Sequence, residues 1–232
     1  MSTKVVCFKS IGEVTFFRSR RSKKLKISVR PDSSVLVSFP YFVKDKEVLS
    51  FLEKNREWIR QQQNKFTEKK TVWHDGSVLE TKLHKIYLYS GEKRDIEING
   101  GTIKLTVEDF DSGECRDMIN NVLIRVYGFE AKKILPGRLR ELAEEYKFGY
   151  NKVTIRNNKR NWGSCSSKNN ISLNLQMMKL PNELIDFILL HELVHTEIKD
   201  HSPRFWERLN QVSGNRAKEL AKEVKKYSTY TL

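Results

Sequence analysis

His191-Glu192-Leu193-Val194-His195 sets two histidines four residues apart with a glutamate beside the first. On a helix, positions i and i+4 share a face about one turn apart. One Zn2+ can therefore take a ring nitrogen from each, and Glu192 stands where it could deprotonate a metal-bound water. His201 follows ten residues after His191. An unbroken helix would carry it about 15 Å along the axis and onto another face, so it joins the same ion only if the chain turns after His195. Asp200 suits such a turn, and Ser202-Pro203 reads as an N-cap followed by a first-turn proline. Phe205, Trp206 and Leu209 then give the next helix an apolar side to pack. Three histidines leave one tetrahedral position open, the arrangement of a catalytic zinc rather than a structural one. The expected site is one Zn2+ per chain on His191, His195 and His201, with Glu192 as general base that passes the proton to the leaving group. His74 and His84 have no partner spacing and read as surface or packing histidines.

The elements around these residues must hold them in place. Pro181 opens a helix carrying Leu184, Ile185, Phe187, Ile188, Leu189 and Leu190, apolar on nearly every side and so expected to be buried. Ionisable groups in such a helix need partners or a metal. Lys152–Arg156 and Ile171–Leu175 read as strands flanking a polar loop, Asn157–Asn170. Upstream, Asp111 and Glu114 have capping-box spacing. Ile119, Val122, Leu123, Val126 and Ile134 keep a helical period up to Pro136-Gly137, and a further helix fits Arg138 to Tyr146. Three short alternating segments, Lys85–Tyr89, Asp95–Ile98 and Ile103–Val107, suggest a small antiparallel meander. In the first part Lys24–Arg30 and Val35–Phe39 form a hairpin around Pro31-Asp32-Ser33-Ser34, and Pro40 ends it. A helix then runs from Asp45 to about Phe66, with Val48, Leu52, Ile59 and Phe66 near one face. The expected fold class is α+β, with a β-rich N-terminal region and one long helix over residues 1–112. The catalytic core would cover 113–232, the alternative being one integrated domain.

Composition narrows the function. The 232 residues contain no apolar run of about 18 and no secretory h-region at the N-terminus. Cys7, Cys115 and Cys165 are few, odd in number and far apart, as expected for free thiols in the cytoplasm. The net charge is +14, with basic residues crowded into Arg18–Lys24 and recurring at Arg156, Lys159 and Arg160. Such a surface attracts phosphates, or serves as a solvated face. No aromatics are interleaved with the basic run as a stacking platform would require, so weak nucleic-acid binding is the most that the run suggests. No membrane partner is expected.

Four segments together carry a resemblance: Asn161-Trp162-Gly163-Ser164-Cys165-Ser166, Ile171-Ser172-Leu173-Asn174, His191-Glu192-Leu193-Val194-His195 and His201-Ser202-Pro203-Arg204-Phe205-Trp206. With the basic run into a Pro-terminated hairpin at Arg20–Pro40, they resemble the YgjP-like metallopeptidases, relatives of the SprT-like and WLM zincins, over roughly residues 18 to 225. The resemblance implies a zincin core, a mixed or antiparallel sheet beside the HExxH helix with an edge strand lining the cleft. It implies the same three ligands and the same base, and places Ile171–Leu175 along the substrate site. Substrate contacts are expected at Arg160, Trp162, Ser164 and Asn174, and Cys165 is expected to pack. The histidine spacing equals that of metzincins, but Ile198 stands where those carry glycine. The expected activity is a zinc metallopeptidase acting on peptides or proteins. The alternatives are hydrolysis of nucleotide phosphoanhydrides, given Arg156, Lys159, Arg160 and Lys168, or a nucleic-acid-associated protease as SprT-like relatives suggest.

Overall fold

A computed structural model describes residues 2–30, 33–68 and 72–229. The chain divides into two compact units, Met1–Val72 and Trp73–Leu232. In the first, strands β1 (Ser2–Phe8), β2 (Gly12–Arg18), β3 (Lys26–Val29) and β4 (Val35–Phe39) form a sheet ordered β1-β2-β4-β3. The expected β3–β4 hairpin is present, with Ile27 opposite Val37; Pro31 and Asp32 of its turn lie outside the described residues. β2 pairs parallel to β4, Val14 beside Val35. The helix expected over Asp45 to Phe66 is two helices, α1 (Asp45–Lys54) and α2 (Arg56–Glu68). Asn55 separates them: its side-chain amide donates to the Phe51 carbonyl at 2.7 Å, competing with the helical ladder. Val48, Leu52 and Ile59 are buried with Val14, Val35 and Val37, while the Phe66 side chain is not among those described.

The second unit begins with β5 (Val78–Glu80), β6 (Lys85–Ser90), β7 (Asp95–Asn99) and β8 (Thr102–Val107), ordered β5-β6-β8-β7. This is not the expected antiparallel meander, because β6 and β8 pair in parallel, Ile86 beside Ile103 and Leu88 beside Leu105. Those four side chains are buried, whereas every residue of β7 is exposed. The two strands with an apolar face take the centre and β7 is left at the edge. Ile86, Leu88, Ile103, Leu105 and Val107 share one core with the helices that follow. That shared burial is why the chain divides at 72/73 and not near 108–113 as the sequence suggested.

Helix α3 (Gly113–Tyr146) runs unbroken through Pro136. A proline removes one ladder bond, but Ala131, Leu135, Leu139, Leu142 and Ala143 lie on a buried face that spans it, and packing outweighs the break. Ser112 stands at the N-cap position without a side-chain cap hydrogen bond; Asp111 forms no capping box and instead accepts from Arg116 Nη2 at 3.2 Å. A three-stranded sheet follows, made of β9 (Lys152–Arg156), β10 (Gly163–Cys165) and β11 (Asn170–Asn174) in the order β10-β11-β9. A 3-10 turn (Leu175–Lys179) leads to α4 (Asn182–Glu197), α5 (Pro203–Val212) and α6 (Ala217–Val224). Among the described residues no helix is long and apolar enough to cross a membrane.

Candidate metal centre

Helix α4 buries Leu184, Ile185, Phe187, Ile188, Leu189, Leu190, Leu193 and Val194. At about 1.5–3 kcal/mol for each large apolar side chain buried, this packing fixes the rotation of the helix. His191 and His195 then fall on one side, their ring centroids 4.8 Å apart. The helix stops at Ile198, whose backbone is extended (φ −127°, ψ 108°). Ser202 N donates to Asp200 Oδ1 at 3.1 Å, which closes the turn that returns His201. Its Nε2 lies 3.2 Å from Nε2 of His191 and 3.2 Å from Nε2 of His195, and all three ligand-capable atoms lie within 4.8 Å of one another. A tetrahedral zinc with Zn–N bonds of about 2.0–2.1 Å spaces its nitrogens about 3.3–3.4 Å apart, so this donor set fits such an ion. His195 Nδ1 donates to the Ile198 carbonyl at 2.9 Å, which leaves Nε2 as the lone-pair nitrogen. Burial first, then His195 and His201 beside it, push His191 down to about 3, so the ring is neutral and ready to ligate.

Glu192 follows His191 on the same helix. It is 4% exposed, its Oε2 has no hydrogen-bond partner among the described residues, and burial pushes its carboxyl up to about 8. An unpartnered buried carboxyl is costly, and a divalent cation beside it is one way to offset that cost. β10 crosses directly over it. A Cβ built on Gly163 would stand 2.6 Å from Glu192 Oε1 and 2.7 Å from its Cγ, closer than real carbon atoms approach. The carboxylate thus lies against bare backbone at the sheet edge. At the far end of β10, Lys199 Nζ donates to the Ser166 carbonyl at 3.0 Å and to Asn169 Oδ1. This ties the β10–β11 turn to the chain just after α4.

The family model for the YgjP-like metallopeptidase domain matches residues 23–227. The chain belongs to the YgjP-like metallopeptidase family. It is therefore a metallohydrolase, and its fold is mixed α and β as expected. Among solved structures, the metallopeptidase zymogen abylysin of Pyrococcus abyssi is 27% identical with a TM-score of 0.36. The zymogen jannalysin of Methanocaldococcus jannaschii is 23% identical, also with a TM-score of 0.36. Each match covers 40% of this chain and 94% of the other. No curated protein matches significantly.

The YgjP-like site differs in two respects from the sequence reading. The strand at the edge is β10, hidden in what read as a loop, while Ile171–Leu175 supplies β11, which lies between β10 and β9. Asn174 cannot touch a substrate, because it is fully buried. Its amide donates to the carbonyls of Asn158 at 2.6 Å and Asn161 at 2.9 Å, pinning the 157–161 loop. Ser164 and Arg160 are exposed and Trp162 is half-buried. Cys165 packs on the core with its sulfur 3.7 Å from Lys199 Nζ. His74 is exposed. His84 meets the buried Glu130, its Nδ1 2.8 Å from Oε1.

Phe205 is the functional residue the sequence reading undervalued. It is fully buried, and its ring lies 4.9, 4.5 and 4.8 Å from the rings of His191, His195 and His201. One side chain therefore floors all three. Phe205→Ala is expected to cost about 3–5 kcal/mol of stability and to weaken zinc binding about 10- to 100-fold. Thermal melts and zinc competition against a chelator would measure both, and unchanged zinc affinity would refute the role.

In metal-stripped protein the histidines and Glu192 act in opposite directions, burial lowering His195 as well as His191. His191 is held neutral, so its contribution is present above 6.5 and is lost as pH falls toward 3. Glu192 is held protonated, so its contribution is present below 4.5 and is lost as pH rises to 8. Each slope is about 1.4 kcal/mol per pH unit. From 4.5 to 6.5 the histidines oppose the Glu192 slope, and from 6.5 to 8 Glu192 alone gives a loss of about 2 kcal/mol. Urea unfolding in chelator at pH 6.5 and 8 tests this, and equal stability at both would contradict it.

Proposed function

We propose that this YgjP-like protein is a zinc-dependent peptidase binding one Zn2+ per chain through His191, His195 and His201, with Glu192 as general base. The observation that carries the reading is the meeting of three Nε2 atoms with a buried, unpartnered carboxyl directly beneath an edge strand. Zinc held there would supply Lewis acidity, polarising the scissile carbonyl and acidifying water. Glu192 takes the proton of the attacking water at Oε2 and returns it to the leaving nitrogen. His195, fixed by Ile198, keeps its tautomer throughout. The outer backbone edge of β10 pairs with an extended substrate, and Arg160, Trp162 and Ser164 flank it. The three free cysteines suit a reducing compartment, the cytoplasm.

One observation favours a second substrate class. From Tyr146 to Asn182 the chain has no Asp or Glu, while Arg156, Lys159, Arg160 and Lys168 are all exposed. Those four cations suit phosphates, and hydrolysis of nucleotide phosphoanhydrides is the alternative. The test is to incubate zinc-loaded and metal-stripped protein with an unfolded polypeptide and, separately, with nucleoside triphosphates. Peptide cleavage that stops on chelation and returns with zinc is the expected result. Phosphate release without peptide cleavage would replace the first reading with the second, and inertness toward both by zinc-loaded protein would overturn the site.

A further inference from the structure

The positive charge is unevenly distributed. Residues 1–72 hold 17 Lys and Arg against 7 Asp and Glu, so this stretch carries +10 of the chain's +14. Residues 73–232 hold 26 against 22. In the N-terminal unit the loop from β2 to β3 exposes Arg20, Arg21, Lys23 and Lys24. Its course is set by Ser19, whose N–H donates to the Phe39 carbonyl at 3.0 Å and whose Oγ accepts from Arg21 N at 3.2 Å. The loop is thereby fastened to the end of β4, where the chain continues into Tyr41 and Phe42. Tyr41 is 43% exposed, and Phe42 at 81% is the most exposed large apolar side chain among the described residues. The Arg20 guanidinium lies 5.8 Å from the Tyr41 ring centroid. The rings absent from the basic run in sequence are thus supplied by the fold from some twenty residues away.

Solubility alone does not explain a projecting phenyl ring among cations. Cations on a backbone-tracking surface next to exposed rings are what an unpaired polynucleotide requires, phosphates meeting the charges and bases stacking on the rings. A duplex keeps its base faces covered. A membrane surface would need a broader apolar face, and here Asp45 and Glu47 stand exposed just after Phe42.

We propose that this face of the N-terminal unit binds single-stranded nucleic acid, with Tyr41 and Phe42 stacking on bases and Arg20, Arg21, Lys23 and Lys24 on phosphates. The proposal is independent of the metal site and stands whichever bond that site breaks. The full chain would be titrated into fluorescein-labelled 20-nucleotide single strands, RNA and DNA, over a series of salt concentrations, with anisotropy as readout. Expected are a slope of log K on log salt of about −2 to −3, for three or four phosphates at about 0.7 each, and weaker binding to a duplex of the same sequence. Phe42→Ala should weaken binding about 5- to 100-fold at an unchanged melting temperature. Arg20→Glu with Arg21→Glu should flatten the salt slope, whereas Lys218→Glu with Lys222→Glu on α6 should not. Equal affinity for duplex and single strand with no effect of Phe42→Ala would overturn the proposal in favour of diffuse charge attraction. Binding of phosphatidylserine vesicles through Phe42, without oligonucleotide binding, would overturn it in favour of a membrane surface.

Discussion

Glu192→Gln is expected to retain zinc and to lower peptide turnover about 10²- to 10⁴-fold, the range that a positioned general base contributes. The amide matches the carboxylate in size, so the packing of α4 and the three histidines is unchanged, while the group can no longer accept a proton. Metal analysis by mass spectrometry and steady-state kinetics would be run on the same preparation. Turnover equal to wild type in zinc-replete protein would remove Glu192 from the mechanism. The same variant carries a second signature, because a neutral side chain has no carboxyl for burial to hold protonated. The loss of stability between pH 6.5 and 8 in metal-stripped protein should vanish in Glu192→Gln.

Gly163→Ala is the second large effect. The backbone at Gly163 needs no left-handed conformation, so the strand can hold alanine; the obstacle is Glu192, 2.6 Å from the new carbon. With the carboxyl 4% exposed, relief requires a shift of the base or of β10, and a displacement near 1 Å at reacting groups costs on the order of 10²-fold in rate. Zinc content should stay at wild-type level, since the new carbon meets Glu192 and none of the three histidines. The decisive comparison is a double-mutant cycle. If Gly163 acts through Glu192, adding Gly163→Ala to Glu192→Gln lowers turnover little further. Additive losses would show that the glycine serves something else, such as pairing with substrate.

The meeting of the three histidines was legible because its signals are local. A four-residue repeat on an apolar helix, an Asp in the turn and a Ser-Pro helix start each say where a side chain goes, and together they bring back His201. β10 was not legible, since Gly-Ser-Cys has little strand preference and is a strand only because β11 lies beside it. Asn174 misled for a related reason: a polar residue at a strand end reads as surface, yet it is fully buried, with three hydrogen bonds to the 157–161 loop and a fourth from Gln176 N. Pro136 and the parallel pairing of β6 with β8 depend on burial across distant segments, which overrides propensity and the habit of pairing neighbours. The proximity of Arg20 to Tyr41 is likewise a product of sheet order, not of spacing.

The two fastenings of β10, Gly163 on Glu192 at one end and Lys199 on the Ser166–Asn169 turn at the other, make strand and helix a single calliper. Their relative placement is set when the chain folds, before any ligand arrives. For an extended substrate docking as proposed, the entropy of arranging base, strand and ligands has already been spent, and only the incoming chain has freedom to lose. Selectivity would then follow from how readily a polypeptide straightens. Flexible, unfolded segments would be taken and compact domains refused, whatever their sequence.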